Sequence, residues 1–332
     1  MKRVFICLPL ISVLYLTFAS CGDNFLSCDG ETWGTTYHIV YASERPLDDS
    51  VLASMRLIDE TLSMFNNGST VSKINRGEID VADTHFRTVF EISRRVWELS
   101  DGRYDPTVAP LCDLWGFGTA EPESQPSDDD IEEALCAVGL GECSVGSDGK
   151  VVRKSADTSF DFSSVAKGYG VDCIAEMFDR NGVDRYMIEI GGEVRVRGLS
   201  PRGRQWRIQV DAPVGGIAHS RFGILQLGPE NMAVATSGNY RNFRYDVEGK
   251  PYGHTLSPLT GRPAISEVLS ATVLAPDCAL ADALATACMT MGKGEALDML
   301  SEVGAEGLLI VAAPDFGFVS VQTDGFDAFM VK

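Results

Sequence analysis

The stretch Ala279–Gly292, ALADALATACMTMG, constrains the fold more than any other part of the chain. It is small-residued, apolar and of helical character, so it belongs inside a fold rather than on its surface. Within it stand one carboxylate, Asp282, and two threonines, Thr286 and Thr290. Side chains four apart share a helical face, so Asp282 and Thr286 can aim a carboxylate and a hydroxyl at one point. That pair suits a hard cation such as Mg²⁺, which prefers oxygen ligands and usually also takes substrate phosphate oxygens. A packed helix whose threonine bonds the carbonyl one turn back meets the same spacing. Spacing alone leaves both readings open.

The chain has 332 residues, 45% of them hydrophobic. That is enough for one large domain or two intimately packed ones. Lys+Arg 28 against Asp+Glu 47 gives a net charge of −19. Nucleic acid is a poor partner for such a surface, because backbone binding relies on clustered Lys and Arg. A phosphate ligand would need local positive charge from a metal ion, a helix N-terminus or a few placed basic side chains.

Met1–Ser20 reads as an export signal, with Lys2 and Arg3 before the apolar run VFICLPLISVLYLTFA. It ends FASC, which puts Cys21 where a lipoprotein signal peptidase leaves a diacylated N-terminal cysteine; an ordinary cleaved signal with an incidental cysteine is the alternative. Residues 21–31 are then expected to be a lipidated tether and 32–332 the folded domain. No later stretch reaches the ~18 apolar residues of a membrane span. Of nine cysteines, Cys7 leaves with the signal. There is no C-x-x-C or Cys/His cluster to suggest zinc. Buried small hydrophobes are the default for the rest, with a Cys136–Cys143 disulfide left open by the sequence.

TWGTTYHIVY alternates like a strand, and 48–65 repeats apolar residues at three- and four-residue steps, an amphipathic helix capped by Asp48 or Asp49. Thr84–Leu99 predicts a second. GRYDPTVAPLCDLWGFG is too rich in Gly, Pro and aromatics for regular structure and reads as a loop that packs down or lines a pocket. A short helix is expected over Ile131–Val138, and strands over Lys150–Lys154 and Thr158–Phe162. After SSVAKGYG comes a helix to Phe178 with Val165, Tyr169, Cys173 and Met177 as its apolar stripe. Short alternating segments follow: YMIEIGGEVRVRG, WRIQVDA, FGILQLG, MAVATSG, YRNFRYDV and LSATVLA. The last runs into the opening helix, then come a helix at Ala296–Val303 and a hairpin of GLLIVAA and GFVSVQT. Largely antiparallel sheets with packed helices make the expected class α+β.

Three loops could carry chemistry. DFSSVAKGYG sets Asp161, a helix N-terminus and Lys167 within one turn, an anion site by charge and dipole but no Walker loop. The bland alternative is a capped helix with a solvent-facing lysine. His254 lies in PYGHTLSPLTGRP and could accept a proton from a hydroxyl nucleophile, or could simply bond backbone. IGGEV and ATSGNY read either as close backbone approaches to a ligand or as plain turns and bulges.

Taken in order, WGTTY, SMFNNGSTVSKIN, GRYDPTVAPLCDLWGFG, DFSSVAKGYGVD, IEIGGEVRVRG, ATSGNY, HTLSPLTGRP and ADALATACMTMG resemble the FAD:protein FMN transferases, the ApbE family. The match is collinear from about Thr32 to Gly292. The resemblance implies an enzyme that binds FAD and Mg²⁺, cleaves the pyrophosphate and attaches FMN through a phosphoester to a Ser or Thr of exported flavoproteins, such as subunits of respiratory ion pumps. By the same resemblance the metal ligands fall on Asp282, Thr286 and a backbone carbonyl at Ser164. Flavin contacts fall on Trp33, Phe65, Arg103, Tyr104, Asp105, Asp161, Lys167 and Thr255, and the base on His254. Trp33, Phe65 and Tyr104 would offer faces for stacking.

This chain departs from the family pattern in carrying Trp33 for the common Met, Phe65 for Tyr, Glu189 for Asn and Ser257 for Asp. Some relatives act mainly as FAD hydrolases. A Mg²⁺-dependent FAD pyrophosphatase is therefore the second expectation, and a flavin-storing lipoprotein the third. Thr290 matches no family role and returns to the packed-helix reading.

Overall fold

The computed structural model describes residues 24–331 except 121, 123, 214–220, 239–242, 246–248, 250 and 314–316. The export signal and Cys21 lie outside the described residues.

Strands β1 (Phe25–Thr32) and β2 (Thr35–Ala42) form a hairpin, in register from Phe25↔Ala42 to Thr32↔Thr35. Of the expected tether over 21–31, residues 25–31 are therefore paired strand, while 21–23 lie outside the described residues. β1 is an edge strand with mostly polar side chains, so it shows little apolar alternation to betray its pairing. Trp33 belongs to the tight turn between the strands and holds a left-handed backbone, φ 50°. Such turns demand that conformation.

Helices α1 (Asp48–Leu62), α2 (Thr70–Asn75) and α3 (Thr84–Leu99) follow. Neither Asp48 nor Asp49 caps α1: Leu47 holds the cap position, and Asp48 accepts from the Tyr41 hydroxyl at 2.7 Å. The aromatic-rich run after Gly102 contains a helix that was not expected, α4 (Ala109–Trp115), with Pro110 in its first turn, where no N–H is required. α5 (Asp128–Ala137) opens on a Ser127/Asp130 capping box, ahead of the expected start at Ile131. β3 (Ser144–Val145) and β4 (Val151–Val152) pair as a small hairpin, shorter than the expected strand over Lys150–Lys154. Thr158–Phe162 is not a strand. Ser159 makes one bridge to Val108, and Phe160 and Phe162 are buried edge-on against Phe86.

The order continues with α6 (Ala166–Arg180), β5 (Tyr186–Ile190), β6 (Glu193–Arg197), β7 (Trp206–Asp211), β8 (Arg221–Leu227) and β9 (Met232–Gly238). β10 (Phe243–Tyr245) and β11 (Pro251–Gly253) pair as a short hairpin, and the rest of YRNFRYDV lies outside the described residues. β12 (Val268–Ala275), α7 (Cys278–Thr290), α8 (Lys293–Glu302), β13 (Glu306–Ala312) and β14 (Phe318–Gln322) complete the chain. No described helix is long and apolar enough to cross a membrane.

One eight-stranded sheet runs β1-β2-β5-β6-β9-β12-β13-β14, and every neighbouring pair is antiparallel. The class is α+β, as the blocks of short strands predict. Helices α1, α3, α6 and α7 cover one face of this sheet, with α7 sunk in the central core. The β7–β8 hairpin covers the other face through Trp206, Val210, Leu225 and Leu227.

β6 joins the two sides. Its Val194 and Val196 face the hairpin core, while Glu193, Arg195 and Arg197 meet Lys167, Asp172 and Asp179 of α6. Asp172 also accepts the Cys278 and Ala279 amides at 2.9 Å each, so α6 supplies the carboxylate that caps α7. The seven described cysteines are free thiols, Cys136 exposed and Cys143 buried.

Candidate active site

Helices α6 and α7 touch at Gly168, where a Cβ would stand 2.4 Å from the Cys278 carbonyl oxygen. Only glycine permits that approach without backbone movement. At the contact the Gly168 amide donates to Asp282 Oδ2 at 3.1 Å. That amide belongs to the first turn of α6, whose N–H groups have no partner within the helix, and Asp282 satisfies it. Asp282 Oδ1 is left facing a cleft of about 550 Å³ bounded by α6, α7, β6, β9 and the loops after α3 and β11.

Three of the charges that line this cleft lie close together. Lys167 Nζ lies 2.5 Å from Glu193 Oε1 and 3.9 Å from Asp282 Oδ1. Burial alone would lower the Lys167 pKa, but the Asp282 and Glu193 carboxylates reverse this and hold it above the ordinary value. Burial raises Asp282, partly offset by Lys167 and the Gly168 amide. Glu193 is pushed up by burial to about 7 against the pull of Lys167, with Asp282 adding to the rise.

Trp33, Arg103, Tyr104, Asp105, Asp161 and Ser164 all border the cleft, together with Lys167, His254, Thr255, Asp282 and Thr286. Residues spread from 33 to 286 therefore converge as the ordered segments predict. Their environments differ. Tyr104 is only 3% exposed, and its hydroxyl accepts from Ser164 Oγ at 3.1 Å. That corrects the expected stacking face: the ring is packed in the central core, and Tyr104 serves as floor. Asp105 turns its carboxylate into the protein, accepting from Thr107 at 2.8 Å and from the Leu140 amide at 2.9 Å. Arg103 pairs with Glu295 at 3.1 Å. Asp161 Oδ1 accepts the Ser163 amide at 2.8 Å and so shapes the turn into α6.

Much of the α6 N-terminus is committed to protein partners. The Val165 and Ala166 amides go to the Phe162 carbonyl, and Gly168 goes to Asp282. This end of the helix contributes its dipole and Lys167 more than a ring of free amides.

Phe65 stands apart from the cleft. It is 63% exposed at the rim of an adjoining groove of about 1020 Å³, which meets the cleft along Trp33, Asp161, Lys167 and His254. His254 lies edge-on to Phe117, ring centroids 6.3 Å apart. The Trp33 ring is seated over Gly170 of α6, where a Cβ would come within 2.3 Å of Cη2.

The two threonines of α7 separate clearly. Thr290 Oγ1 donates to the Ala287 and Arg103 carbonyls at 2.8 and 2.9 Å, the packed-helix role. Thr286 Oγ1 instead lies 3.2 Å from Ser237 Oγ of β9, at the cleft wall. Asp282, Thr286 and Ser164 all border the cleft, and a carboxylate, a hydroxyl and a backbone carbonyl are the oxygen donors that a hard cation takes. Among the described residues no group of three or more His, Cys, Asp or Glu could hold a metal on its own.

Sequence reasoning missed Glu193, Gln209, Asp211 and Ser237 as cleft residues. Glu193 carried a signal in being a carboxylate directly after Gly191-Gly192. The others come from strands that alternation alone cannot aim at a site.

A model described as the ApbE family matches residues 33–309. A protein of Vibrio cholerae named FAD:protein FMN transferase is 33% identical, covering 97% of this chain and 98% of its own length. One of the same name from Haemophilus influenzae is 30% identical over 94% of both. The solved flavin transferase ApbE from Vibrio cholerae superposes with TM-score 0.83 at 30% identity, covering 92% of this chain and 99% of that one. The ApbE protein from Thermotoga maritima gives 0.80 at 30% identity, covering 93% and 100%. The chain belongs to the ApbE family.

Proposed function

We propose that this chain is a Mg²⁺-dependent FAD:protein FMN transferase, lipid-anchored in a bacterial envelope through Cys21 and acting on exported flavoproteins. The observation that carries the reading is Asp282 Oδ1 within 3.9 Å of Lys167 Nζ, with Asp282, Thr286 one turn along and His254 all lining the same cleft. A carboxylate, a hydroxyl and an ammonium at one point suit a pyrophosphate; storage of an intact flavin would not need them.

In this reading FAD lies with its pyrophosphate at Lys167, whose ammonium carries phosphate charge. Asp282, Thr286 and the Ser164 carbonyl would hold Mg²⁺, which would supply Lewis acidity at the pyrophosphate. The acceptor threonine hydroxyl attacks the FMN phosphorus while His254 takes its proton. A P–O bond forms to the acceptor, the bond to the bridging oxygen breaks, and AMP leaves with the electron pair. Trp33 and Phe65 flank the groove where an aromatic ring system can stack.

The test is incubation of the mature protein with FAD, Mg²⁺ and an acceptor domain carrying a target threonine. A mass gain equal to FMN on the acceptor supports the transferase. Free FMN and AMP without adduct would move the reading to a pyrophosphatase, and unaltered FAD would end both.

A further inference from the structure

Glu193 is a carboxylate of the cleft whose place the reaction above does not explain. It is 2% exposed, opens β6 directly after the Gly191-Gly192 turn, and spends Oε1 on Lys167 at 2.5 Å. Its Oε2 is buried with no hydrogen-bond partner among the described residues. A buried carboxylate with one unmatched oxygen is costly, and such groups persist where they do something besides stabilise.

Position suggests what that is. Asp282 has one oxygen fixed by the Gly168 amide, so Oδ1 alone remains for a cation. Lys167 Nζ stops 3.9 Å from that oxygen. A charge-assisted contact closes to about 2.8 Å, so the ammonium stands about 1 Å short of direct pairing. An ammonium and a divalent cation compete for the same oxygen, and whatever restrains the first favours the second.

We infer that Glu193 is a positioning residue that parks the Lys167 ammonium away from Asp282 and so keeps Asp282 Oδ1 open to a divalent cation. The ammonium has three donors and Glu193 takes one, which leaves it able to meet an anionic ligand without moving onto Asp282. Without Glu193 the nearest counter-charge is Asp282, and Lys167 closes on it. The inference rests on the cation reading of Asp282 and adds to it a residue that acts only through Lys167.

The measurement is binding of Mn²⁺ alone, without flavin, to the full mature chain, followed by the loss of the free-ion paramagnetic resonance signal. Asp282→Ala is run first: if it binds Mn²⁺ as the wild type does, the metal reading and this inference fall together. With Asp282-dependent binding in hand, Glu193→Gln is expected to weaken it on the order of tenfold, within the usual range for coupled groups. The double variant Glu193→Gln/Lys167→Met is expected to restore it, because nothing is left to occupy Oδ1. Unchanged affinity in Glu193→Gln overturns the inference. So does a loss that the double variant does not repair, since Glu193 would then act by its own charge. Thermal melting verifies that each variant is folded. If Glu193→Gln does not fold, Lys167→Met alone decides: tighter Mn²⁺ binding supports the inference, and equal or weaker binding overturns it.

Discussion

The Gly168 amide donates to Asp282 Oδ2 at 3.1 Å, at the point where α6 and α7 come into contact. One hydrogen bond thus fixes the orientation of the cleft's central carboxylate and satisfies a first-turn amide of α6 that has no partner within the helix.

Gly168→Ala tests that contact. Its Cβ would overlap the Cys278 carbonyl, forcing the helices apart. Overpacking of this kind costs about 1–3 kcal/mol. A lower melting temperature is expected, with a rise in the Mg²⁺ concentration needed for half-maximal FMN transfer as Asp282 shifts. An unchanged melting temperature would show that the helices separate freely.

Asp172→Ala should be more damaging. The carboxylate pairs with Arg195 and accepts two amides of α7, all in the interior. Removing it leaves Arg195 buried without this partner, a loss of about 3–5 kcal/mol. Urea unfolding measures it, and a loss below 1 kcal/mol would be inconsistent with the burial.

Glu193 makes stability depend on pH. Its folded pKa of about 7 lies above the ordinary 4.5, so between those values the folded protein holds a proton that the unfolded chain has released. Stability contributed in this way is present below about 4.5 and falls as pH rises through about 7. Melting temperatures of the metal-free protein are expected to decline across this window and to decline less in Glu193→Gln. Parallel profiles would assign the titration to another group.

Asp282→Ala is expected to abolish FMN transfer at ordinary Mg²⁺ while the chain still folds, as read by mass spectrometry of the acceptor. Retention of the wild-type rate would remove Asp282 from the cation site.

His254→Ala is expected to slow transfer by about a hundredfold to ten-thousandfold, the span of a general base. FAD binding, followed by quenching of flavin fluorescence, should persist. Loss of binding instead would make His254 a structural residue of its loop.

Much of the fold and site was legible before any coordinates. α3 runs from Thr84 to Leu99 as its periodicity predicts, and α7 is buried as a small apolar helix must be. The ordered segments contain every residue that borders the cleft except Gln209 and Asp211, although fewer than half of those residues were given a role from sequence. β1 was not legible, because an edge strand need not alternate, and α4 was hidden by residues that favour loops elsewhere. Tyr104 was named for the right cleft but the wrong role: aromatic character does not reveal whether a ring's face or only its hydroxyl reaches a site.

The segment Glu193-Val194-Arg195-Val196-Arg197 divides what sequence determines from what tertiary structure decides. Period-two alternation fixes that the valines share one face and the charges the other. It does not say which face meets solvent, and the usual expectation puts the charges outside. Here the β7–β8 hairpin covers the valines, and α6 covers the charges with Lys167, Asp172 and Asp179. Local pattern depends on bonds along one strand, whereas the covering layer depends on chain at least nine residues away on either side. For the same reason Asp282 and Thr286 could be placed on one helical face from sequence, but only the packing of α7 against α6 and β9 decided that this face opens on a cleft.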